Sequence, residues 1–408
     1  MGDRIGISPT EVRGQGVGEE FTIVSIGDKG IISLDGIVQY NHMATFVPPK
    51  SSTQSPALMS AEVVNLSRNI IITGDDFKHI PCDPSLPEAI GGEETSVEGC
   101  RCSSFRTQCT IGLHTAAMNA GEARIQNTRV ERCGQRGEVI CQFEFADTPC
   151  IYISSLISFL RLCSITICSG VEGKYCMHFH KLHDCPTCLF KKNVIEGSQQ
   201  RGIIVHGTHS STVESNVLWN VRGAGIYIED GNELYNDLKY NVVLCPNKFQ
   251  DNNLHGCTIP GTSNRLADTS DNHSGIFSRS ATNNLIGNRA ANNFNGMFIQ
   301  AKGGRGDSAG KVCASDAKLG RMEGNTWHGN GRFGTYMLGN NYPKETDQSI
   351  ITDGHNIDMS FCDGFDSMGN ERGFPGSIVN NLDYHNVSAQ CISYVSSKTL
   401  HKLIPRLA

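Results

Sequence analysis

Residues 176–233 read CMHFHKLHDCPTCLFKKNVIEGSQQRGIIVHGTHSSTVESNVLWNVRGAGIYIEDGNE. Three short apolar pieces recur in this stretch, at Cys176–His180, Gly202–His206 and Gly225–Asp230. Each is followed by polar turn material rich in Asn and Gly, and no period of 3.6 residues fits between them. Asn193, Asn216 and Asn241 each open a second apolar piece, spaced by 23 and then 25 residues, and Gly202 to Gly225 is again 23. Two independent markers at one period of twenty-odd residues indicate stacked coils of a solenoid. A βαβ unit needs about 30 residues or more, so helices cannot join these strands. The pattern predicts an all-β chain built as a right-handed parallel β-helix.

Composition agrees. The 408 residues include 44 Gly and carry a formal net charge of −6. Many short strands with tight turns use such a composition. Clustered Lys and Arg are missing, which argues against nucleic acid as the partner. Seventeen cysteines, concentrated between Cys82 and Cys188, suit an oxidising compartment with several disulfides. Three N-x-S/T sequons, at Asn65, Asn272 and Asn386, are candidate glycosylation sites and compatible with export. The opening MGDRIGISPT has no apolar signal-peptide core, so the sequence reads as incomplete at its N-terminus.

From the start of the chain, EEFTIVSIGDKGIISLDGIVQYNH alternates apolar and polar residues and predicts β-hairpins; FVPPKSSTQSPALMS (46–60) reads as a surface loop. Asn69–Thr73 is the strongest short apolar run before the cysteine-rich segment 80–110, a disulfide-pinned loop by composition. Residues 138–171 break the repeat. Their apolar part, Ile151–Cys168, is interrupted by Arg161 and is shorter than the roughly 20 residues of a membrane helix. An insertion, or translated non-coding sequence, fits better; GQRG would join naturally to GKYCMHFH without it. Beyond Pro246 the Gly ladder resumes at Gly275, Gly296 and Gly334, with a loop at 301–322 absorbing the surplus. That loop holds Arg305-Gly306-Asp307, a tripeptide that chance supplies more often than adhesion does.

Residues one period apart lie above each other on one wall, about 4.8 Å per coil. His180 to His206 is 26 residues and His206 to Asp230 is 24. His178, His180, His206, His209, Glu229, Asp230, Asn232 and Glu233 therefore make a candidate wall. Period-two alternation puts His178 and His180 on one side but turns Glu229 and Asp230 opposite ways, so only part of the set can share a site. Imidazoles with carboxylates can bind a divalent metal or serve as general acid and base on a glycosidic bond. The same residues can equally be hydrogen-bonded ladders that hold the stack together. Cys185-Pro-Thr-Cys188 reads as a local disulfide or buried thiols rather than half of a zinc site, because no second CxxC follows.

The order HFHKLHD, RGIIVHGTHSSTVESNVLWNV, GAGIYIEDGNE resembles the β-helix of the CEMIP and fibrocystin-L group of extracellular proteins. Residues 1–78 are similar to the C-terminal part of the G8 domain that precedes the coils in that group; 79–400 then form the β-helix. The resemblance implies an extracellular or cell-surface location, with membrane attachment only through parts outside this chain. It implies a polysaccharide or cell-surface glycan as partner. For the CEMIP branch it further implies hyaluronan depolymerisation, with calcium as cofactor in part of the group; fibrocystin-L-like members imply a non-catalytic ectodomain for adhesion or sensing. Under the first expectation His180, His206, Asp230 and Glu229 are the catalytic candidates, and His178, His209, Glu233 and Asn232 the substrate-binding ones. Fold alone does not decide between the branches.

Overall fold

The structure is a computed structural model that describes residues 1–11, 16–47, 57–74, 112–119, 121–134, 138–139, 168–169, 174–248, 257, 274–300, 311–312, 320–337, 350–351 and 392–394. The segment 80–110, Arg305-Gly306-Asp307, Asn272, Asn386 and most of 138–171 and 301–322 lie outside the described residues. Among the described residues the only helical turn is a 3-10 piece at Asp28–Gly30, and no helix is long and apolar enough to cross a membrane.

Three parallel sheets form the walls of a β-helix. Wall A stacks Ala116–Met118, Met177–Asp184, Ile203–His209, Ile226–Ile228, Ser274–Ser278, Asn295–Ile299, Phe333–Met337 and Ile392–Tyr394. Wall B stacks Arg124–Gln126, Leu189–Lys191, Thr212–Glu214, Asp237–Lys239, Asn284–Ile286 and Met322–Glu323. Wall C stacks Ile70–Thr73, Thr128–Glu131, Val194–Ser198, Val217–Val221, Val242–Leu244, Arg289–Ala291 and Thr326–His328. The chain passes A, B, C in every coil. Each strand is too short to stand alone, and its alternate residues point inward to one continuous core that includes Phe179, Phe190, Ile195, Val205, Leu218 and Trp327.

The two sequence ladders occupy corners of this prism. At the B-to-C corner Asn193, Asn216, Asn241, Asn288 and Asn325 stack, each Nδ2 donating to the Oδ1 of the next at 3.0–3.1 Å. Each Oδ1 also accepts from the backbone N–H of the Asn before it, and each Nδ2 reaches a wall-B carbonyl, as Asn216 does to Phe190 O at 2.9 Å. The amides satisfy a turn that is buried and would otherwise leave polar backbone unpaired. The residue before each is left-handed: Lys192, Ser215 and Tyr240 have φ of 55–56°, then Gly287 and Gly324 take over, and Asn127 holds 54° before Thr128 at the same corner of the first coil. At the C-to-A corner the backbones approach so closely that only glycine fits. A Cβ on Gly225 would lie 2.4 Å from Val243 Cγ1 and 2.8 Å from Gly275 O.

The irregular 138–171 stretch is inserted at the C-to-A corner, between Thr128–Glu131 of wall C and Met177–Asp184 of wall A. The coil ending at Gly134 stacks directly beneath the one that starts at Lys174, since Ala116–Met118 pairs in parallel with His178–His180. A Cys133–Cys176 disulfide ties the two ends, and Glu138–Val139 pairs antiparallel with Cys168–Ser169. Two further disulfides close Cys185–Cys188 and Cys245–Cys257. The CxxC is thus a local bridge. Closing loops of 43 and 12 residues restricts the unfolded chain, worth about 3–4 kcal/mol each on an entropic account.

The N-terminal residues form a four-stranded antiparallel sheet of Arg4–Ile7, Glu19–Ile26, Ile32–Leu34 and Val63–Asn65. The sheet lies against the outer face of wall C, where Val64 and Leu66 pack with Val194, Trp219 and Leu244. Trp219 Nε1 donates to Glu20 at 2.6 Å, Arg4 reaches Glu196 at 2.8 Å, and Glu62 accepts from Arg289 at 2.7 Å. Strand Ile70–Thr73 already belongs to wall C, although it precedes residue 78. The exposed Asn65 sits on the edge strand of the antiparallel sheet, in a sequon open to solvent.

Candidate functional site

The outer face of wall A carries a register row of His178, Ile204, Tyr227, Phe277, Phe298 and Tyr336. The aromatic members stack, with Tyr227 and Phe277 centroids 4.4 Å apart, and the row is buried. Arg201 covers Tyr227, its guanidinium carbon 3.7 Å from the ring centre. Beside this apolar row, two residues further along the strands, the face turns polar: His180 lies next to His206 in the parallel register. Strand alternation brings His178 and His180 to the same side, as expected. The left-handed Lys181 and His183 then form a bulge that ends the regular pairing.

Three imidazoles converge here. His180 Nδ1 is 3.3 Å from His178 Nε2 and 3.1 Å from His206 Nδ1. His206 reaches a carboxylate through each nitrogen, with Nε2 3.0 Å from Asp230 and Nδ1 3.7 Å from Glu229. Alternation predicted that Glu229 and Asp230 would face opposite ways, and this needs correction. The strand ends at Ile228, so Asp230 is already in the following turn and its side chain returns to the same imidazole.

Other members of the expected wall are enclosed in the turn rather than presented to solvent. Glu233 is fully buried and accepts the backbone N–H groups of Gly207, Asp230 and Gly231 at 2.8–3.0 Å, clamping the 229–233 turn to the coil before it. Asn232 is buried beside it. His209, at the far end of its strand, accepts from Leu234 N–H at 3.1 Å and lies outside the converging group. Glu233 and Asn232 are buried because the turn that follows the three-residue strand Ile226–Ile228 folds inward, and His209, at the end of the preceding coil's strand, accepts a backbone N–H of that turn.

The electrostatics separate the histidines. Burial pushes His178 down to about 3, helped by the neighbouring His180 and His206. Burial also lowers His180, aided by His206 and Lys181 and opposed by Asp230. Burial acts on His206 too, but the Asp230 hydrogen bond and the charges of Glu229 and Glu233 outweigh it and raise its pKa. Burial raises Glu233 despite its three backbone donors. His206 thus binds a proton more readily than its two neighbours. His178 Nδ1 has no hydrogen-bond partner, a cost of about 1–3 kcal/mol of the kind retained at functional positions.

Calcium takes six to eight oxygen ligands. The convergent donors here are imidazole nitrogens, and the set does not fit that ion.

With this geometry established, the relatives become informative. Residues 168–335 match the CEMIP beta-helix family. The chain is also similar to fibrocystin-L of Homo sapiens, 25% identical over 86% of this chain and 8% of the relative, and to fibrocystin-L of Mus musculus, at 26% over the same shares. A G8 domain-containing protein of Dictyostelium discoideum is 26% identical over 40% of this chain and 15% of its own. The chain spans less than a tenth of the length of the fibrocystin-L proteins it matches.

Proposed function

We propose that this CEMIP-type β-helix is an extracellular carbohydrate-binding module that depolymerises an acidic, hyaluronan-like polysaccharide at the outer face of wall A. The observation that carries the reading is the asymmetry within one cluster: His206, backed by Asp230 at 3.0 Å and shifted toward its protonated form, stands 3.1 Å from His180, which is shifted toward its neutral form. A charged imidazole attracts a polyanion and can give a proton to a leaving glycosidic oxygen, while a neutral one can accept a proton from water. The three disulfides among the described residues support an oxidising, extracellular setting.

A second reading has its own support. The aromatic row beside the cluster is covered, so the open surface along wall A is narrow, which favours a non-catalytic ectodomain that binds glycan or protein.

A chain-length assay separates them. The secreted chain is incubated with high-molecular-mass hyaluronan, with a divalent cation or with chelator, and the products are sized on a gel. Shortening that disappears in the His180→Gln/His206→Gln/Asp230→Asn variant, with an unchanged melting temperature, is the expected result. Binding without shortening moves the assignment to the ectodomain. Full activity in the triple variant rejects the wall.

A further inference from the structure

We infer that His178 Nε2, His180 Nδ1 and His206 Nδ1 form a three-imidazole site for a borderline-soft divalent transition metal of the zinc class. The inference stands whether or not the wall cleaves a polysaccharide.

Two of the nitrogen separations are 3.1 and 3.3 Å. Ligands at a zinc–nitrogen distance of 2.0–2.1 Å in a tetrahedron lie about 3.3 Å apart, so these two separations match those of a tetrahedral ligand set. Hydrogen bonding alone satisfies the trio poorly. The single lone pair or N–H of His180 Nδ1 faces two ring nitrogens at once and can serve only one of them well. All three ligand atoms lie within 4.8 Å of one another, and among the described residues they are the group of this kind that converges.

The surroundings match a metal site in two more respects. Asp230 accepts from His206 Nε2 at 3.0 Å, which fixes the proton on that nitrogen and turns the Nδ1 lone pair toward the cluster. A carboxylate behind a ligating imidazole is the usual outer support of such sites. The Glu229 carboxylate, 3.7 Å from His206 Nδ1, is within reach of a fourth position. Three nitrogens with one open or carboxylate-filled position suit zinc, copper or nickel; calcium and magnesium prefer oxygens.

The test is direct. The full chain, stripped with chelator, is dialysed against zinc or calcium, its metal content is measured, and the zinc-loaded form is examined by X-ray absorption. The expected result is one zinc bound through imidazole nitrogens at about 2.0 Å, with affinity falling at least about tenfold in His180→Gln and in His206→Gln. His180 is partly exposed, so His180→Gln decides the matter should His206→Gln fail to fold. A sulfur shell near 2.3 Å would place the metal on cysteines and overturn the site. Zinc content unchanged in His180→Gln, no zinc uptake, or calcium held in preference at the same residues would each overturn it as well. None of these readouts needs catalysis, so failure of the polysaccharide reading leaves the metal result intact.

Discussion

Asn216 shows how much one side chain carries. Its Nδ2 donates to Phe190 O and to Asn241 Oδ1, and its Oδ1 accepts both donors of Asn193. Replacing it by Ala strands a buried carbonyl and a buried amide with no water to take over. Asn216→Ala should therefore cost about 2–4 kcal/mol, read as a lower urea midpoint at unchanged slope. This ladder was legible in the sequence because a residue that serves one corner must recur once per coil. The Gly ladder was legible for the same reason, each member facing the backbone of the next coil. His178, His180 and His206 could also be found, from alternation and a spacing of one period. The relative orientation of Glu229 and Asp230, and the burial of Glu233, could not be read. Their positions depend on where one strand stops, and a three-residue strand gives alternation too little length to act on.

The repeating element is the coil, and its weakest joint is the B-to-C turn. Ser215 and Lys192 hold left-handed φ of 55° there, where the later coils use Gly287 and Gly324. A non-glycine residue pays roughly 1–2 kcal/mol for that conformation, while glycine gives back part of the gain through its freer unfolded chain. Ser215→Gly should leave the fold unchanged and raise stability by up to about 1 kcal/mol, visible as a higher melting temperature. A lower melting temperature would mean that the Ser215 side chain contributes more than its backbone costs. The turn type was not legible from the residues, since Lys, Ser and Tyr have no common preference for it. Only their shared position before the Asn ladder reveals the requirement.

Across the whole molecule, the N-terminal sheet and the solenoid are held together at wall C by few charged contacts. Glu62 is the one most exposed to acid. Burial pushes its pKa up, but His328 at 3.4 Å and Arg289 at 2.7 Å outweigh burial and hold it below the ordinary 4.5. A carboxylate lowered in the folded state stabilises above its unfolded pKa and loses that contribution as pH falls through the folded value. Titrating from about pH 7 to about pH 3 should loosen the sheet from wall C below about pH 4.5, whereas Glu62→Gln should be less stable at neutral pH and respond less to acid in that range. Trp219, buried at this junction, gives the fluorescence signal. Nothing in the repeat foretold the docking. Gly6 and Gly18 make room for Trp219 and Pro246 across 200 or so residues of sequence, and such a contact has no period. Apart from the local Cys185–Cys188 bridge, disulfide partners were equally hidden, because pairings multiply faster than spacing can restrict them.

The Cys133–Cys176 bridge has a mechanical consequence. Under tension along the chain, load arriving at Cys133 crosses the sulfur–sulfur bond into the next coil and bypasses everything between. The 43-residue separation it spans amounts to roughly 150 Å of slack held out of the load path. In an oxidising environment the coil stack can be pulled without drawing on that length. A reductant would return that length to the load path.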